Sequence, residues 1–370
     1  MLDLAQLLSV PQVHPKFDIS SDDSKIAFAW NKTGEWQIYE MEFPSPAGRG
    51  AKGEGEITQL TSGTGGRFNP RYSPDGTRLA YVLDVDGSES YHLIVYDFFT
   101  NTHTDLTSSA SYALQPNFCW SPDGRQLAFL GNEQGHFSAS IISATGWDAK
   151  LILDTGHPAW QVEWSPDAKH LAVCCEMRGQ DYSIFIVELE TNEVIELTIN
   201  AQDPAWSPNG MQLAFHSDLK GWFDIGVYDL GSKNITWTRS HEGDSLSPVF
   251  FPQIERSISP NYQFAYTQSK GACNWIELLT ADGSRRKYQV GTGIHDGIKS
   301  TSDGKRICCT FNSPSQPPDL WMIDLAQGQS IQLTKSMPEN LSNEEFVMPE
   351  EIYYEGMDGV QIPALLFRQN

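Results

Sequence analysis

Apolar and polar residues alternate along this chain in short runs, which is the period of half-buried β-strands. "RLAYV" at 78–82 and "HLIVYDF" at 92–98 are typical, and residues of turn type separate the runs. The pattern predicts an all-β chain of many short strands. Residues 1–11 differ, because Leu4, Leu7 and Leu8 recur at helical spacing and predict a short N-terminal helix or arm.

A turn signal divides these strands into a repeat. Ser-Pro-Asp-Gly at 73–76 returns with small changes, and its Ser or Thr falls at positions 20, 73, 121, 165, 207, 259 and 301. In this turn Pro74 presets φ, Asp75 can bond local backbone, and Gly76 takes the left-handed conformation. A period of about 40–50 residues with four strand-like runs is the size of one propeller blade.

The repeats predict a seven-bladed β-propeller of four-stranded antiparallel blades over residues 12–336. A polar linker is expected to follow at 337–350. The first and last blades each contain four strands of their own, so neither terminus has a strand left to complete the other's blade. We therefore expect a ring without an interlocking closure strand, in which the terminal blades meet through side-chain packing.

The last segment, residues 351–370, departs from the repeat. It predicts a hairpin with a strand at 352–354, a turn at Asp358-Gly359 and an apolar strand at 360–367. An isolated hairpin is barely stable in water, and an apolar edge strand invites pairing with another chain. The segment is thus expected to begin a further domain, and residues 352–367 also offer a surface for self-association.

The repeats, the linker and "MDGVQIPALLF" at 357–367 together resemble the prolyl oligopeptidase family of serine peptidases. The acylaminoacyl-peptidase and dipeptidyl-aminopeptidase branch is the most similar, through "LDVDGSESYHLIVYD" at 83–97 and "RGQDYSIFIVEL" at 178–189. The repeat itself also resembles TolB-like and WD40-like propellers. The family resemblance implies that the propeller caps an α/β-hydrolase domain, whose first hairpin would be residues 351–370, and restricts its active site to peptides.

Catalytic residues are not predicted in this chain, because the nucleophile elbow G-x-S-x-G is absent from the sequence. The resemblance therefore implies a non-catalytic propeller domain, which gates and positions peptide substrates for an α/β-hydrolase domain outside these residues. The alternative is a free-standing TolB-like or WD40-like propeller that acts as a protein-interaction scaffold. A metal-dependent propeller enzyme using His157, His241 and His295 is a weaker third reading.

Composition narrows the partners. The net charge of −22 repels nucleic acid and anionic membranes, so neither is expected as a partner. The six Cys include no CxxC pair, which predicts buried free thiols and a cytoplasmic protein. The nine His show no HExxH spacing, and no metal or cofactor is predicted.

Strand alternation places every Ser-Pro-Asp-Gly turn on one face of the predicted disc. The second-to-third and fourth-to-first connections lie on the opposite face, where loops can carry binding residues. That face is expected to meet the peptide or the partner domain. The candidate contact residues on it are Arg178, Asp181, Tyr182, Arg67, Tyr112 and Trp160.

Overall fold

The computed structural model describes residues 8–43, 56–179, 181–197, 200–238, 243–252, 262–341 and 346–368. Its elements are thirty β-strands, β1 to β30, so the all-β prediction is confirmed. The predicted N-terminal helix falls mainly on residues 1–7, and the sixth turn falls around residue 259; both lie outside the described residues. No helix within the described ranges has the length and apolar character needed to cross a membrane.

The first 28 strands form seven successive groups of four, which we call units 1 to 7. Within each unit the four strands pair antiparallel in chain order. Units 2 and 3 are also joined by a single bridge between Tyr91 and Leu114. The strands of units 1 to 3 are β1 Val13–Ile19, β2 Lys25–Trp30, β3 Gln37–Glu42, β4 Ile57–Gln59, β5 Gly66–Tyr72, β6 Arg78–Asp84, β7 Tyr91–Asp97, β8 Thr102–Asp105, β9 Leu114–Trp120, β10 Gln126–Gly131, β11 Ser138–Ser143 and β12 Gly146–Leu153.

The remaining units follow the same order. Their strands are β13 Ala159–Trp164, β14 His170–Glu176, β15 Tyr182–Glu188, β16 Val194–Leu197, β17 Ala201–Trp206, β18 Gln212–Ser217, β19 Asp224–Asp229, β20 Ile235–Trp237, β21 Ser245–Phe250, β22 Tyr262–Lys270, β23 Cys273–Thr280, β24 Arg285–Tyr288, β25 Ile294–Ser300, β26 Arg306–Ser313, β27 Gln316–Asp324 and β28 Ser330–Gln332. A separate hairpin, β29 Glu350–Glu355 and β30 Gln361–Leu366, ends the described chain.

Side chains of the turn itself close each Ser-Pro-Asp-Gly connection. The buried Ser73 hydroxyl donates to Asp75 at 2.6 Å and accepts the Arg78 N–H at 3.0 Å. Gly76 has φ +69°, the left-handed value that the turn requires. The same two bonds recur at the other described copies, whose hydroxyls belong to Ser20, Ser121, Ser165, Ser207 and Thr301. These residues therefore shape turns, as the sequence predicted.

A Leu-Thr pair ends the fourth run of several repeats, at 60–61, 106–107 and 333–334, and it has a structural role as well. In three units the threonine hydroxyl accepts the N–H of a third-strand residue at 2.9 Å, with Thr61 bound by Ile38, Thr107 by Leu93 and Thr334 by Leu320. The hydroxyl satisfies a buried donor at the point where the short fourth strand has ended. The motif therefore completes the ladder of the sheet rather than forming a site.

The cores lie between neighbouring units, and the series of units closes on itself. Each first strand contacts the first strand of the next unit, and β1 contacts β25. Phe28 and Met41 of unit 1 pack in one buried cluster with Leu320 and Met322 of unit 7. In the described part of the chain no strand of one terminal unit pairs with the other, so the seam is made by side chains, as expected.

Hydrogen bonds and an ion pair reinforce this seam. Lys299 lies 2.8 Å from Asp18, which belongs to the opposite end of the chain. The buried Trp30 indole donates to Ser336 at 2.9 Å, and the Ser336 hydroxyl donates to Asp319 at 2.8 Å. Burial raises the pKa of Asp319 to about 6 despite these donors. The segment that leaves unit 7 is thereby attached to unit 1.

Candidate functional site: the central channel

The first strands of the units form the wall of a central channel. Except for β9, which has one extra bridge, each first strand pairs with a single neighbour, so its other edge is unpaired. Proline lacks an N–H and is confined to such edges. Five of the seven first strands contain one, at Pro15, Pro70, Pro116, Pro204 and Pro248.

β-Bulges turn polar side chains of these strands toward one another. Asn69, Asp203 and Ser247 have φ of +54°, +53° and +51°, and the pairing register shifts at each. A bulge bends its strand and re-aims the side chain. As a result the Asn69 amide donates to the Pro116 carbonyl of unit 3 at 2.6 Å, and Ser247 of unit 6 donates to Asp203 of unit 5 at 2.7 Å.

Two connected cavities occupy the channel. The inner cavity has a volume of about 380 Å³ and includes Arg71, Glu163 and Lys299 in its lining. The outer cavity has about 330 Å³ and is lined in part by His14, Phe68, Tyr91 and Trp160. Four residues line both cavities, namely Lys16, Asn69, Asn117 and Gln161. Their volumes lie in the range of ligand pockets.

The two faces of the ring can now be distinguished. The turn rim carries the six described Ser-Pro-Asp-Gly turns, at the carboxyl ends of the first strands. The mouth rim is the opposite face, where the first strands begin. His14 and Trp160 are the second residues of β1 and β13, so the outer cavity opens at the mouth rim. The mouth rim is the face that the sequence analysis predicted to meet the peptide or the partner domain.

One ion pair spans non-adjacent units of the inner cavity. Arg71 Nη2 lies 3.0 Å from Glu163 Oε1, and Nη1 lies 3.4 Å from Oε2, so unit 2 is joined to unit 4 past unit 3. The Trp120 and Trp206 indoles donate to the backbone carbonyls of these two residues. Burial opposes the charge of Arg71, but Glu163 outweighs burial and the pKa of Arg71 is raised.

Asp203 is the second charged centre of the inner cavity. It accepts hydrogen bonds from Gln161 and from Ser247, and His216 Nδ1 lies 3.4 Å from its Oδ2. Burial favours the neutral acid, but His216 and Ser247 outweigh burial and hold the pKa of Asp203 below its usual range. Both carboxylate oxygens of Asp203 therefore have partners, and these contacts link units 4, 5 and 6.

Lys16 differs from the other cations of the channel. It is exposed, lines both cavities, and has no carboxylate within ion-pair distance among the described residues. Its backbone N–H donates to His14 Nδ1 at 3.2 Å. Burial and the nearby Lys16 charge lower the pKa of His14 to about 4, so this ring is neutral at pH 7.

Aromatic rings surround the mouth. The His14 ring centroid lies 5.7 Å from Trp36 and 5.5 Å from Phe68, and Phe68 lies 6.4 Å from Tyr91. Trp160, with 41% of its surface exposed, stands on the other side and donates to Glu176 at 3.0 Å. The channel thus opens through aromatic walls onto a floor of amides and Lys16.

Only Trp160 of the six predicted contact residues lines a described cavity. Arg67 lies on the mouth rim, but its Nη1 donates to the carbonyls of Gly63, Thr64 and Gly65 and holds its own loop. Tyr112 packs against the backbone of Gly131, where a Cβ would come within 2.8 Å of the ring. These contacts give Arg67 and Tyr112 structural roles.

The other three predicted residues are neighbours in sequence, with Arg178 and Asp181 in the β14–β15 connection and Tyr182 as the first residue of β15. Arg178 and Asp181 are exposed, and the Asp181 N–H donates to the Arg178 carbonyl at 3.1 Å. The Tyr182 N–H donates to the Asn200 side chain at 2.8 Å, and burial raises the pKa of the Tyr182 phenol. Arg178 and Asp181 lie in an exposed loop on the mouth rim, Tyr182 is half-buried beside it, and the part of all three in binding stays a prediction.

Sequence reasoning missed the channel residues Lys16, Arg71, Glu163 and Asp203. Their signal was the first run of the repeats, in five of which polar residues stand close to a proline, as in "FNPRY" at 68–72 and "AQDPAW" at 201–206; the run that contains Glu163 has no proline. A strand that contains proline has an unpaired edge, and a closed series of such edges has to face an axial space. Which side chains meet there could not be read from the runs separately.

Of the histidines considered for a metal, His295 uses both of its ring nitrogens in hydrogen bonds to backbone groups. His295 Nε2 accepts the Val290 N–H at 2.9 Å, so Nδ1 carries the proton and donates to the Asn274 carbonyl at 3.1 Å. His241 lies outside the described residues. Among the residues that are described, no cluster of three or more His, Cys, Asp or Glu side chains has the arrangement of a metal site.

Comparisons with known proteins agree with this architecture. No family model matches the chain. It is 23% identical to the uncharacterized peptidase YuxL of Bacillus subtilis, over 85% of this chain and 63% of that protein. It is 29% identical to the Tol-Pal system protein TolB of Francisella tularensis subsp. holarctica, over 58% of this chain and 48% of TolB.

Solved structures show the same fold. A prolyl endopeptidase matches 96% of this chain and 54% of its own length, with a TM-score of 0.73 and 15% identity. A puromycin-hydrolyzing peptidase of Mycobacterium tuberculosis matches 96% and 57%, with a TM-score of 0.72 and 14% identity. The chain thus spans between about half and two thirds of these relatives. Its homologues are peptidases of the prolyl oligopeptidase type and TolB-like propellers, which confirms the resemblance inferred from the repeats and the tail.

Proposed function

We propose that this chain is the non-catalytic, seven-bladed propeller of a prolyl oligopeptidase-family serine peptidase, with units 1 to 7 as its blades. In this role the channel gates and positions peptides for an α/β-hydrolase domain encoded outside these 370 residues. The observation that carries the proposal is the position of the C-terminal hairpin relative to the channel mouth.

The hairpin lies on the mouth rim. Glu351 and Tyr353 of β29 lie against Gly271, in the second-to-third strand connection of unit 6, where a Cβ would come within 3.3 Å of the Tyr353 hydroxyl. That connection belongs to the same face as the outer cavity. A domain continuing from the hairpin would therefore sit over the mouth, where a gate has to act.

The hairpin also exposes apolar surface of the kind that a domain interface covers. Tyr353, Tyr354, Val360 and Phe367 each have more than half of their surface exposed. Contiguous exposed apolar residues mark interaction sites. In the proposed whole protein the hydrolase domain covers this surface.

The first test examines the native gene product. An antibody raised against this chain should detect, in the source cells, a protein longer than 370 residues by about one domain of 50–250 residues. That protein should react with a fluorophosphonate, which labels activated serines, while the 370-residue chain should not. A native product of 370 residues that takes no label would contradict the proposal.

The gating role needs a separate test in the whole protein. Gln115→Trp places a large side chain in the outer cavity and should slow cleavage of a peptide while leaving hydrolysis of a small nitrophenyl ester unchanged. Gln126→Trp is the matched control, because Gln126 is exposed on β10 and lines neither described cavity. Equal rates for Gln115→Trp and wild type on the peptide would argue against gating through the channel.

The similarity to TolB favours a second candidate, a free-standing propeller that binds other proteins. The two candidate functions give the C-terminal hairpin different roles. A scaffold predicts a native product without a hydrolase domain, and self-association through residues 352–367. The antibody and fluorophosphonate experiment therefore separates the two functions.

A further inference from the structure

We propose that the outer cavity is a carboxylate subsite, in which Lys16, His14 and Asn117 bind the C-terminal carboxylate of a peptide while its last, apolar side chain packs against Phe68, Tyr91 and Trp160. The inference rests on the proposed function in that it assumes a peptide ligand. It adds which end of the peptide enters the mouth and which residues hold that end.

The first argument for a carboxylate ligand is the charge of the outer cavity. The chain contains 47 acidic and 25 basic residues, yet the described lining of this cavity includes no Asp or Glu. It does include Lys16, whose ammonium has no carboxylate partner among the described residues. Lys16 interacts at longer range with Asp203 of the inner cavity. An anion that enters the mouth thus meets a positive charge with no carboxylate at ion-pair distance, and no Asp or Glu in the described lining of the outer cavity.

The second argument is the set of hydrogen-bond donors in the outer cavity. His14 Nδ1 accepts the Lys16 N–H, so the single proton of the neutral ring is on Nε2, which can donate. Asn117 uses its carbonyl oxygen to accept the Val162 N–H at 2.8 Å, while its amide NH₂ has no partner among the described residues. The cavity therefore offers three donor groups, which suit a carboxylate with its two acceptor oxygens.

The third argument is the aromatic wall of the outer cavity. Phe68, Tyr91 and Trp160 line the same cavity as these donors. Aromatic walls with a few placed polar groups are typical of sites for small ligands, and the volume of about 330 Å³ is at the lower end of their range. The arrangement fits one terminal residue with an apolar side chain, whose preceding backbone continues out toward the mouth rim.

The test compares two probes on the chain as it stands. N-Acetyl-Ala-Phe with a free carboxylate and the same peptide as its C-terminal amide are titrated by isothermal calorimetry at low salt. We expect the acid to bind about tenfold more tightly, because hydrogen bonds to a charged carboxylate are stronger than hydrogen bonds to a neutral amide. The preference should shrink in about 0.5 M NaCl, since exposed charges are screened.

Variants then assign the effect to residues. Lys16→Gln should abolish the preference for the acid, and Lys150→Gln, an exposed lysine on β12 far along the chain, should retain it. Phe68→Ala should weaken both probes. The proposal is overturned if neither probe binds, if acid and amide bind wild type equally, or if Lys16→Gln keeps the preference.

This failure is distinguishable from failure of the proposed function. Binding is measured without a hydrolase domain, so a negative fluorophosphonate result leaves it untouched. Conversely, Gln115→Trp can slow peptide cleavage selectively even where acid and amide bind equally, in which case the channel gates but does not read the carboxylate.

Discussion

The turn rim and the mouth rim of this molecule are made by opposite ends of the same seven first strands, yet they are built differently. On the turn rim, the described turns repeat one pair of hydrogen bonds, with a buried hydroxyl between a carboxylate or amide oxygen and an N–H five residues on. On the mouth rim, His14, Phe68 and Trp160 occupy comparable places and are all aromatic, but no hydrogen bond is repeated among them.

The difference separates architecture from specificity. A bond that recurs in every described copy has to serve what every unit needs, which is closing the hairpin between its first two strands. Residues that differ from unit to unit can be changed without breaking the repeat, so they are free to form a site. Hydroxyl donors lower the pKa of Asp22 on the turn rim to about 2, and burial lowers the pKa of His295 on the mouth rim to about 4.

The largest expected effect concerns His295 on the mouth rim. Its pKa falls from 6.5 to about 4 on folding, so the folded state favours the neutral ring. The resulting stability is fully present above pH 6.5 and is lost as pH falls through 4, by about 3 kcal/mol. Urea unfolding of wild type should show this loss, and His295→Gln should make the dependence shallower by a similar amount.

The control for this experiment is His157→Gln, in the loop before β13 on the same rim. The slope of the His295→Gln protein is compared with the slope of this variant, in which the same substitution is made at a loop position. A His295→Gln protein with the wild-type slope would mean that burial of His295 does not contribute to the pH dependence of stability. The carboxylate of Asp22 affects stability in a lower pH range. Its stabilising effect is present above pH 3.8 and is lost as pH falls toward 2.

The next effect in size tests the uniform rim. Ser165→Ala removes a fully buried hydroxyl and leaves the His170 N–H without its 2.8 Å acceptor. The free energy of unfolding should fall by about 2 kcal/mol, as for other buried groups that lose their partner. Ser111→Ala, at an exposed position before β9 on the mouth rim, should change it by no more than about 0.5 kcal/mol. Equal effects at both positions would remove the distinction between the rims.

The smallest effect on stability is expected at Arg178. The residue is exposed in the β14–β15 loop, so Arg178→Ala should change the free energy of unfolding by about 0.5 kcal/mol or less. If this loop contacts the peptide, as the sequence predicts, the variant should nevertheless raise the KM for peptide cleavage in the whole protein. An unchanged KM together with unchanged stability would leave the loop without a role in binding.

The fold was predictable from the sequence to a large extent, and the site much less so. The turns at Ser73 and Ser165 use bonds between residues two and five positions apart, so a short stretch contains all the information for them. The hairpin could be bounded in the same way, from alternation and an Asp-Gly turn, to within two residues of β29 and one residue of β30. The candidate contact residues lie on the mouth rim, as strand alternation predicted, but five of the six lie off the described cavities and their role in binding stays a prediction.

By itself, then, the sequence determined the strands, their grouping into repeats and the face on which the turns lie, because these follow from local periodicity and local hydrogen bonds. Only the tertiary structure determined which side chains meet in the channel. Arg71 meets Glu163 across 92 positions of sequence, and Lys299 meets Asp18 across 281. Such pairs form only when the units close around an axis and bulges turn their side chains inward, and no local pattern encodes which residues will then be neighbours.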